Sequence, residues 1–229
     1  ELLDWLASEA AANGWNLKRL QRLIVTSAVY RQGSASDRVA RAKDTSNRWL
    51  WRKSPVRLEA EMVRDAMLSV SGSLNKQLDG PSFRDYDLVQ SPGTPAVLYV
   101  PADPGRPELA RRSLYRAWAR GGRSAFLDVF DCPDPSTTTP RRAVTTTPLQ
   151  ALSLMNSKLV LHLSDVMALR LERDAGKNAG RQVERAYWLA FGRGPSEREQ
   201  AEASAVVKQF GAAVLVRAIF NSSEFLHLD

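Results

Sequence analysis

The sequence predicts a mainly α fold: a multi-helix domain with long proline-rich loops and a small two-stranded β element. Three observations predict it. Apolar residues recur at helical spacing along most of the 229 residues. Two capping boxes, Thr147–Gln150 and Ser196–Glu199, open apolar runs in the last third. Six of the twelve prolines crowd between Gly80 and Pro107, a region that no long helix can cross. With 44% apolar and 25% charged residues the chain is not a largely disordered one. Its length suits one domain, 1–229, with residues 79–110 as an irregular excursion inside it. No uncharged apolar stretch approaches the length of a membrane-spanning helix, so no membrane insertion by this segment is expected.

The elements follow in order. Leu2, Trp5 and Leu6 stand at helical spacing with no start signal before them, so the chain reads as the C-terminal part of a larger protein. A chain that opens inside a helix cannot display a signal peptide, and the lack of one says nothing about compartment. Asn13-Gly14 supplies a stop, and Asn16 an N-cap for a packed surface helix with Leu17, Leu20, Ile24 and Ala28 on one face. A polar stretch covers 33–47. Ser54-Pro55 reads as N-cap and first position of a helix from Val56 to Ser71, with Leu58, Met62, Ala66 and Val70 on its apolar face and Gly72 at its end. Within it Arg57, Glu61 and Asp65 are spaced to pair locally.

Residues 96–100 form a β-prone run inside the proline-rich excursion. Residues 111–119, dense in arginine, fit a helix or a strand. Their shortness favours a strand paired with 96–100. From Thr147 one helix is expected to run to about Asp174, carrying Leu152, Met155, Leu159, Leu163 and Val166. Gly176 and Gly180 break the pattern before a helix from Val183 to Phe191, which Gly192 ends. Ser196 opens the next helix. A last one spans Ala212 to Phe220, with Asn221-Ser222-Ser223 capping its end rather than serving as a glycosylation sequon.

The net charge is +7, and the basic excess is arginine: 25 Arg against 7 Lys. Such a bias arises from genome base composition, from recognition of polyanions, or from internal pairing with the 25 acids. One cysteine, Cys132, excludes an internal disulfide and any multi-cysteine metal or iron–sulfur centre. No metal site is expected from two histidines, His162 and His227. There is no Walker A loop, G-x-S-x-G elbow, G-x-G-x-x-G loop or C-x-x-C-H haem attachment; Gly192-Arg193-Gly194 follows a helix and lacks the third glycine. The six tryptophans read as core residues, or as stacking platforms.

One segment stands out. Phe130 to Pro148 holds Asp131, Asp134, Arg141, Arg142, seven hydroxyl side chains and four prolines just before a helix N-terminus. Backbone donors, a positive helix end and arginine forks suit an oxyanion. The candidate ligand-binding set is Arg141 and Arg142 with Arg111, Arg112, Asp131, Thr145 and Gln150. The alternative is structural, with Asp131 or Asp134 paired to Arg141 or Arg142 while the threonines cap and turn the loop. No catalytic residue is assigned. A nucleophile at Cys132 or a threonine needs an adjacent base, and His162 points to a helix side rather than to this loop. Asp131 is the alternative acid or base, although two arginines nearby would keep both aspartates ionised.

Many co-linear strings, Glu1–Ala7, Gly14–Ile24, Ser27–Gln32, Asn47–Arg52, Arg57–Leu68, Val70–Gly72, Arg111–Tyr115, Phe130–Pro135, Arg141–Leu152 and Asn221–Phe225, resemble one family. It is the C-terminal domain of unknown function of planctomycete cytochrome-c-like surface proteins. The resemblance implies an extracytoplasmic location, in the periplasm or at the cell surface, behind a secretion signal, a c-type-cytochrome-like domain and a companion domain. It implies no cofactor in this domain, with any c-type haem in a neighbouring one, and it argues against nucleic acid as a partner. The expected partners are the companion and cytochrome-c-like domains of the same polypeptide, and an anionic glycan. The leading expectation is a non-catalytic helical module that docks on those domains and holds an acidic ligand. The alternatives are a hydrolase or lyase acting on anionic (sulfated) polysaccharide, and an accessory domain in extracytoplasmic electron transfer.

Overall fold

A computed structural model describes residues 1–228. They form two compact units, 1–56 and 57–228.

In the first unit, α1 (Leu2–Ala12) ends at Asn13, and α2 (Leu17–Thr26) begins at the predicted cap, where the Arg19 amide donates to Asn16 Oδ1 at 3.1 Å. A short α3 (Arg38–Lys43) lies within the polar stretch 33–47. Asp37 starts it by accepting the Ala40 amide at 2.6 Å. After α3 the Asp44 carboxylate takes the Trp49 amide at 2.8 Å and the Asp44 carbonyl takes the Trp51 indole N–H at 2.9 Å, which folds 44–51 into a turn. Only Ala10 and Asp44 are buried in this unit. α2 therefore forms where expected and meets α1, but none of its residues is fully buried.

The second unit holds the core. α4 (Ala60–Ser71) begins later than Ser54-Pro55 suggests, because the Leu58 amide is drawn into an extended pairing with the Leu226 carbonyl at 2.9 Å. The fully buried apolar residues of α4 are Ala60, Val63, Met67 and Leu68; of the expected face, Leu58, Ala66 and Val70 pack half-buried against the core and Met62 is exposed. Gly72 ends the helix at φ +83°, a conformation costly for any residue with a Cβ.

The expected strand forms at Val97–Pro101, but its antiparallel partner is Tyr86–Gln90, with Tyr86 opposite Pro101 and Gln90 opposite Val97. Residues 113–115 make a 3₁₀ turn instead of a strand. The Asp65 carboxylate accepts the Ser113 amide at 2.8 Å and its hydroxyl at 2.7 Å, which bends the chain there. The turn also lets Arg111 and Arg116 both be buried, where strand alternation would put them on opposite faces.

α5 (Ala125–Val129) leads into the candidate loop. The single helix expected from Thr147 is two, α6 (Pro148–Asn156) and α7 (Lys158–Ala175). Ser157 separates them by taking an extended conformation and capping α7, its Oγ accepting the Val160 amide at 3.4 Å. α7 is the central helix, burying Val160, Leu163, Met167 and Leu171 along one face. α4, α8 (Ala179–Phe191) and α10 (Ala212–Phe220) pack around it. Gly180 lies inside α8 rather than before it, because Asn178 caps the helix by accepting the Arg181 amide at 3.0 Å. Both capping boxes form with reciprocal bonds, at Thr147/Gln150 and at Ser196/Glu199 of α9 (Glu197–Phe210). Asn221 follows α10, and Ser222 caps the short α11 (Ser223–Leu226), so the sequon residues stand at helix ends as expected.

Arg193, between α8 and α9, forks onto Glu199 at 2.8 Å and reaches Glu224 of α11 at 2.7 Å. Those bonds and the Ser196 amide hold the Glu199 carboxyl down at about 2. The tryptophans are not core residues: Trp5, Trp15, Trp49, Trp118 and Trp188 are exposed, and Trp51 is half-buried.

Candidate functional site

The loop after α5 is held by an internal frame. Asp131, at φ +61°, directs its carboxylate across the loop, accepting the Thr145 amide at 2.8 Å, the Thr145 hydroxyl at 2.9 Å and the Gln150 Nε2 at 3.5 Å. Gln150 is buried. Its Nε2 also donates to Thr145 Oγ1 at 3.2 Å, while its Oε1 accepts from Arg57 Nη2 at 2.9 Å and from the Thr147 amide at 3.3 Å. Arg57 Nη1 reaches Thr146 Oγ1 at 3.3 Å. Asp131, Thr145, Gln150 and Arg57 thus form a closed polar network, each member satisfying another.

A second anchor lies on α4. Arg142 forks onto Glu61, Nη1 to Oε2 at 2.7 Å and Nη2 to Oε1 at 3.0 Å, and also reaches Glu59 at 3.2 Å. Burial pushes the Glu61 carboxyl up, but the Arg142 bonds outweigh it and leave Glu61 below the ordinary range. The Cys132 thiol donates to Glu61 Oε1 across 3.6 Å. Burial, with the Glu61 charge beside it, pushes that thiol up to about 12, so it is no nucleophile at neutral pH. The same pairing replaces the local one expected along α4. Arg57 reaches the start of α6, Glu61 reaches Arg142, and Asp65 reaches Arg64, Arg112 and Ser113.

The seven expected ligand residues therefore divide. Asp131, Thr145 and Gln150 come together, but as the frame of the loop. Arg142 is spent on Glu61. Arg112 is half-exposed, with Nε 4.0 Å from Asp65. Arg111 is buried away from the loop, donating to the Pro81 and Asp79 carbonyls with its guanidinium 4.2 Å over the Tyr115 ring. Arg141 alone is exposed and, among the described residues, without an ion pair. Neither aspartate pairs with Arg141 or Arg142. Asp134 accepts from Ser136 at 2.7 and 2.8 Å and meets Arg123 at 3.4 Å. Ser136 first, and Arg123 after it, holds the Asp134 carboxyl below its usual range.

Sequence reasoning missed Glu61 and Arg57, which lie far from the loop along the chain. Their four-residue spacing on one predicted helix gave a local explanation that concealed the distant one. His162 lies against Gly105, not beside Cys132 or the threonines. No trio of His, Cys, Asp or Glu is grouped to hold a metal among the described residues. Nor do the residues fit a covalent haem, since the one cysteine is buried and is followed by Pro133.

The loop presents outward Arg141, the hydroxyls of Thr137, Thr138 and Thr139, Val144 (73% exposed) and one side of α6, where Leu149 (60%), Leu152 and Met155 stand in solvent. The loop and both its anchors fall inside a family match. Residues 1–207 match the family model PSD1, a protein of unknown function (DUF1553). The chain belongs to this family. No curated protein and no solved structure matches it. The DUF1553 match takes in α1 to α8 and most of α9. It stops short of α10, whose Leu215, Val216, Ile219 and Phe220 are buried in the core. No helix in this DUF1553 chain is long and apolar enough to cross a membrane, among the described residues.

Proposed function

We propose that this chain is a non-catalytic docking module of a larger extracytoplasmic protein. Through Arg141 and the outer side of α6 it seats neighbouring companion and cytochrome-c-like domains of the same polypeptide. The observation that carries this reading is how the loop spends its chemistry. Every carboxylate, amide and thiol that could act on a substrate is engaged in holding the loop rigid. The groups left facing out are one arginine, the hydroxyls of Thr137, Thr138 and Thr139, and an apolar ridge of Val144, Leu149, Leu152 and Met155. Arginine beside exposed apolar side chains on a preorganised support is the make-up of a protein-binding surface. The partner surface it fits is an apolar groove with a carboxylate at its rim. The extracytoplasmic location and the identity of the neighbours rest on the family resemblance of the strings quoted above. Any c-type haem belongs to those neighbours, which makes a supporting role in electron transfer one of docking.

The test is calorimetric titration of this chain with the purified companion and cytochrome-like domains. Arg141→Glu and Leu152→Asp each weaken binding at least about tenfold, a loss of about 1.4 kcal/mol, with the thermal midpoint unchanged because both side chains are exposed. Binding that survives both substitutions overturns the reading. A sulfated glycan that binds in an Arg141-dependent, salt-sensitive way, or is cleaved, favours the polysaccharide reading instead.

A further inference from the structure

Of the seven hydroxyl side chains in the loop, four are engaged. Ser136 Oγ donates to Asp134 at 2.7 Å and Thr145 Oγ1 to Asp131 at 2.9 Å. Thr146 Oγ1 accepts from Arg57 at 3.3 Å, and Thr147 Oγ1 accepts the Gln150 amide at 3.3 Å. Thr137, Thr138 and Thr139 differ. All three are exposed, and their hydroxyls bond to no other side chain or carbonyl among the described residues.

The backbone around them is equally free. The Thr137 amide closes a turn onto the Asp134 carbonyl at 3.2 Å, and from Thr138 to Val144 no backbone amide is hydrogen-bonded among the described residues. Pro133 and Pro135 precede the threonines and Pro140 follows them. Proline takes no part as a donor, and it biases the residue before it, here Thr139, toward an extended conformation. Both ends of the run are pinned, at Asp134 by Ser136 and Arg123 and at Arg142 by Glu61. Three adjacent acceptor hydroxyls thus stand on a short unpaired span between two fixed points.

An enzyme that modifies a hydroxyl must draw the segment into its own cleft. Thr145 to Thr147 could enter one only by breaking the bonds that frame the loop, whereas Thr137 to Thr139 give up nothing. Adjacent threonines flanked by proline are the composition of O-glycosylated stretches. A neutral sugar on one leaves its neighbours usable, while phosphates on adjacent hydroxyls would repel one another.

We infer that Thr137, Thr138 and Thr139 form an O-glycosylation site. A threonine Oγ1 attacks the anomeric carbon of a nucleotide- or lipid-linked sugar. The new C–O bond forms as the bond from that carbon to the donor's phosphate breaks. The phosphate leaves with the electron pair, and the hydroxyl proton passes to a base of the transferase.

The experiment is tandem mass spectrometry, with fragmentation that keeps sugars on their side chains, of the full-length protein purified from the cells that make it. Trypsin places the three threonines on one peptide, Ser124–Arg141, and Thr145 to Thr147 on another, Ala143–Lys158. Most of the first peptide carries sugar, sited on Thr137, Thr138 or Thr139, and the second carries none. Thr137→Val, Thr138→Val and Thr139→Val together, made in the same cells, abolish the sugar. Their thermal midpoint equals that of the enzymatically deglycosylated parent, because the three hydroxyls bond nothing. The inference is overturned if Ser124–Arg141 is unmodified, if it carries phosphate instead, or if sugar stands on Ser136 or Thr145 to Thr147 and survives the triple substitution.

Discussion

α2 and α7 carry the same sequence pattern, apolar residues at helical spacing behind a side-chain cap, yet they meet different fates. α7 buries Val160, Leu163, Met167 and Leu171. In α2, Leu17, Ile24 and Val25 stand in solvent and nothing is buried. The contrast extends to their units. Residues 57–228 surround a continuous core, while 1–56 bury Ala10 and Asp44 and expose Leu2, Leu3, Trp15 and Trp49. Periodicity thus predicts that a helix forms, and it is silent on whether the apolar face finds a partner within the same chain. A region with so much uncovered apolar surface draws its stability from what it touches, since isolated short helices are marginal in water.

Hydrogen exchange gives the sharpest form of this comparison. Amides in α7 and α10 should exchange only through global unfolding, and those of α2 through local opening, on the order of 10³ times faster or more. Equal protection in both would break the comparison.

Paired truncations come next in size. Leu163→Ala, in the fully buried face of α7, should cost about 2–5 kcal/mol in denaturant unfolding. Ile24→Ala, on the exposed face of α2, should stay within about 0.5 kcal/mol. A large loss at Ile24 would mean that α2 is packed in solution.

The smallest effect concerns charge in the second unit. Glu199 titrates at about 2 in the folded chain, below its ordinary value of 4.5. Its pairing with Arg193 therefore contributes stability above about pH 4.5 and loses it as the pH falls toward 2. The thermal midpoint of Arg193→Met should lie below the parent's at pH 7 and converge on it between pH 4.5 and 2. A gap that persists at pH 2 would assign the role of Arg193 to packing on Tyr187 and Phe191 instead.

How much of this was legible in the residues depends on range. Caps and stops were, because their physics is local: Asn16, Gly72, Gly192 and both capping boxes act where the sequence places them. The Ser157 break was not, since Asn156-Ser157-Lys158 carries neither glycine nor proline. Nor was the start of α4, which is set by Leu226, far along the chain. The candidate loop was conspicuous by composition, and Asp131, Thr145 and Gln150 do join there. What it does with its arginines was hidden, because Arg142 answers to Glu61, eighty-one residues away.

The same Glu61 has a consequence for the lone thiol. With Cys132 titrating at about 12, only about one molecule in 10⁵ carries a thiolate at pH 7. Disulfide exchange and alkylation both need that thiolate. A solitary cysteine is ordinarily a hazard in an oxidising compartment, where two copies can become cross-linked. Here the chain keeps its sulfur while remaining chemically silent, and oxidants should not link two copies through it.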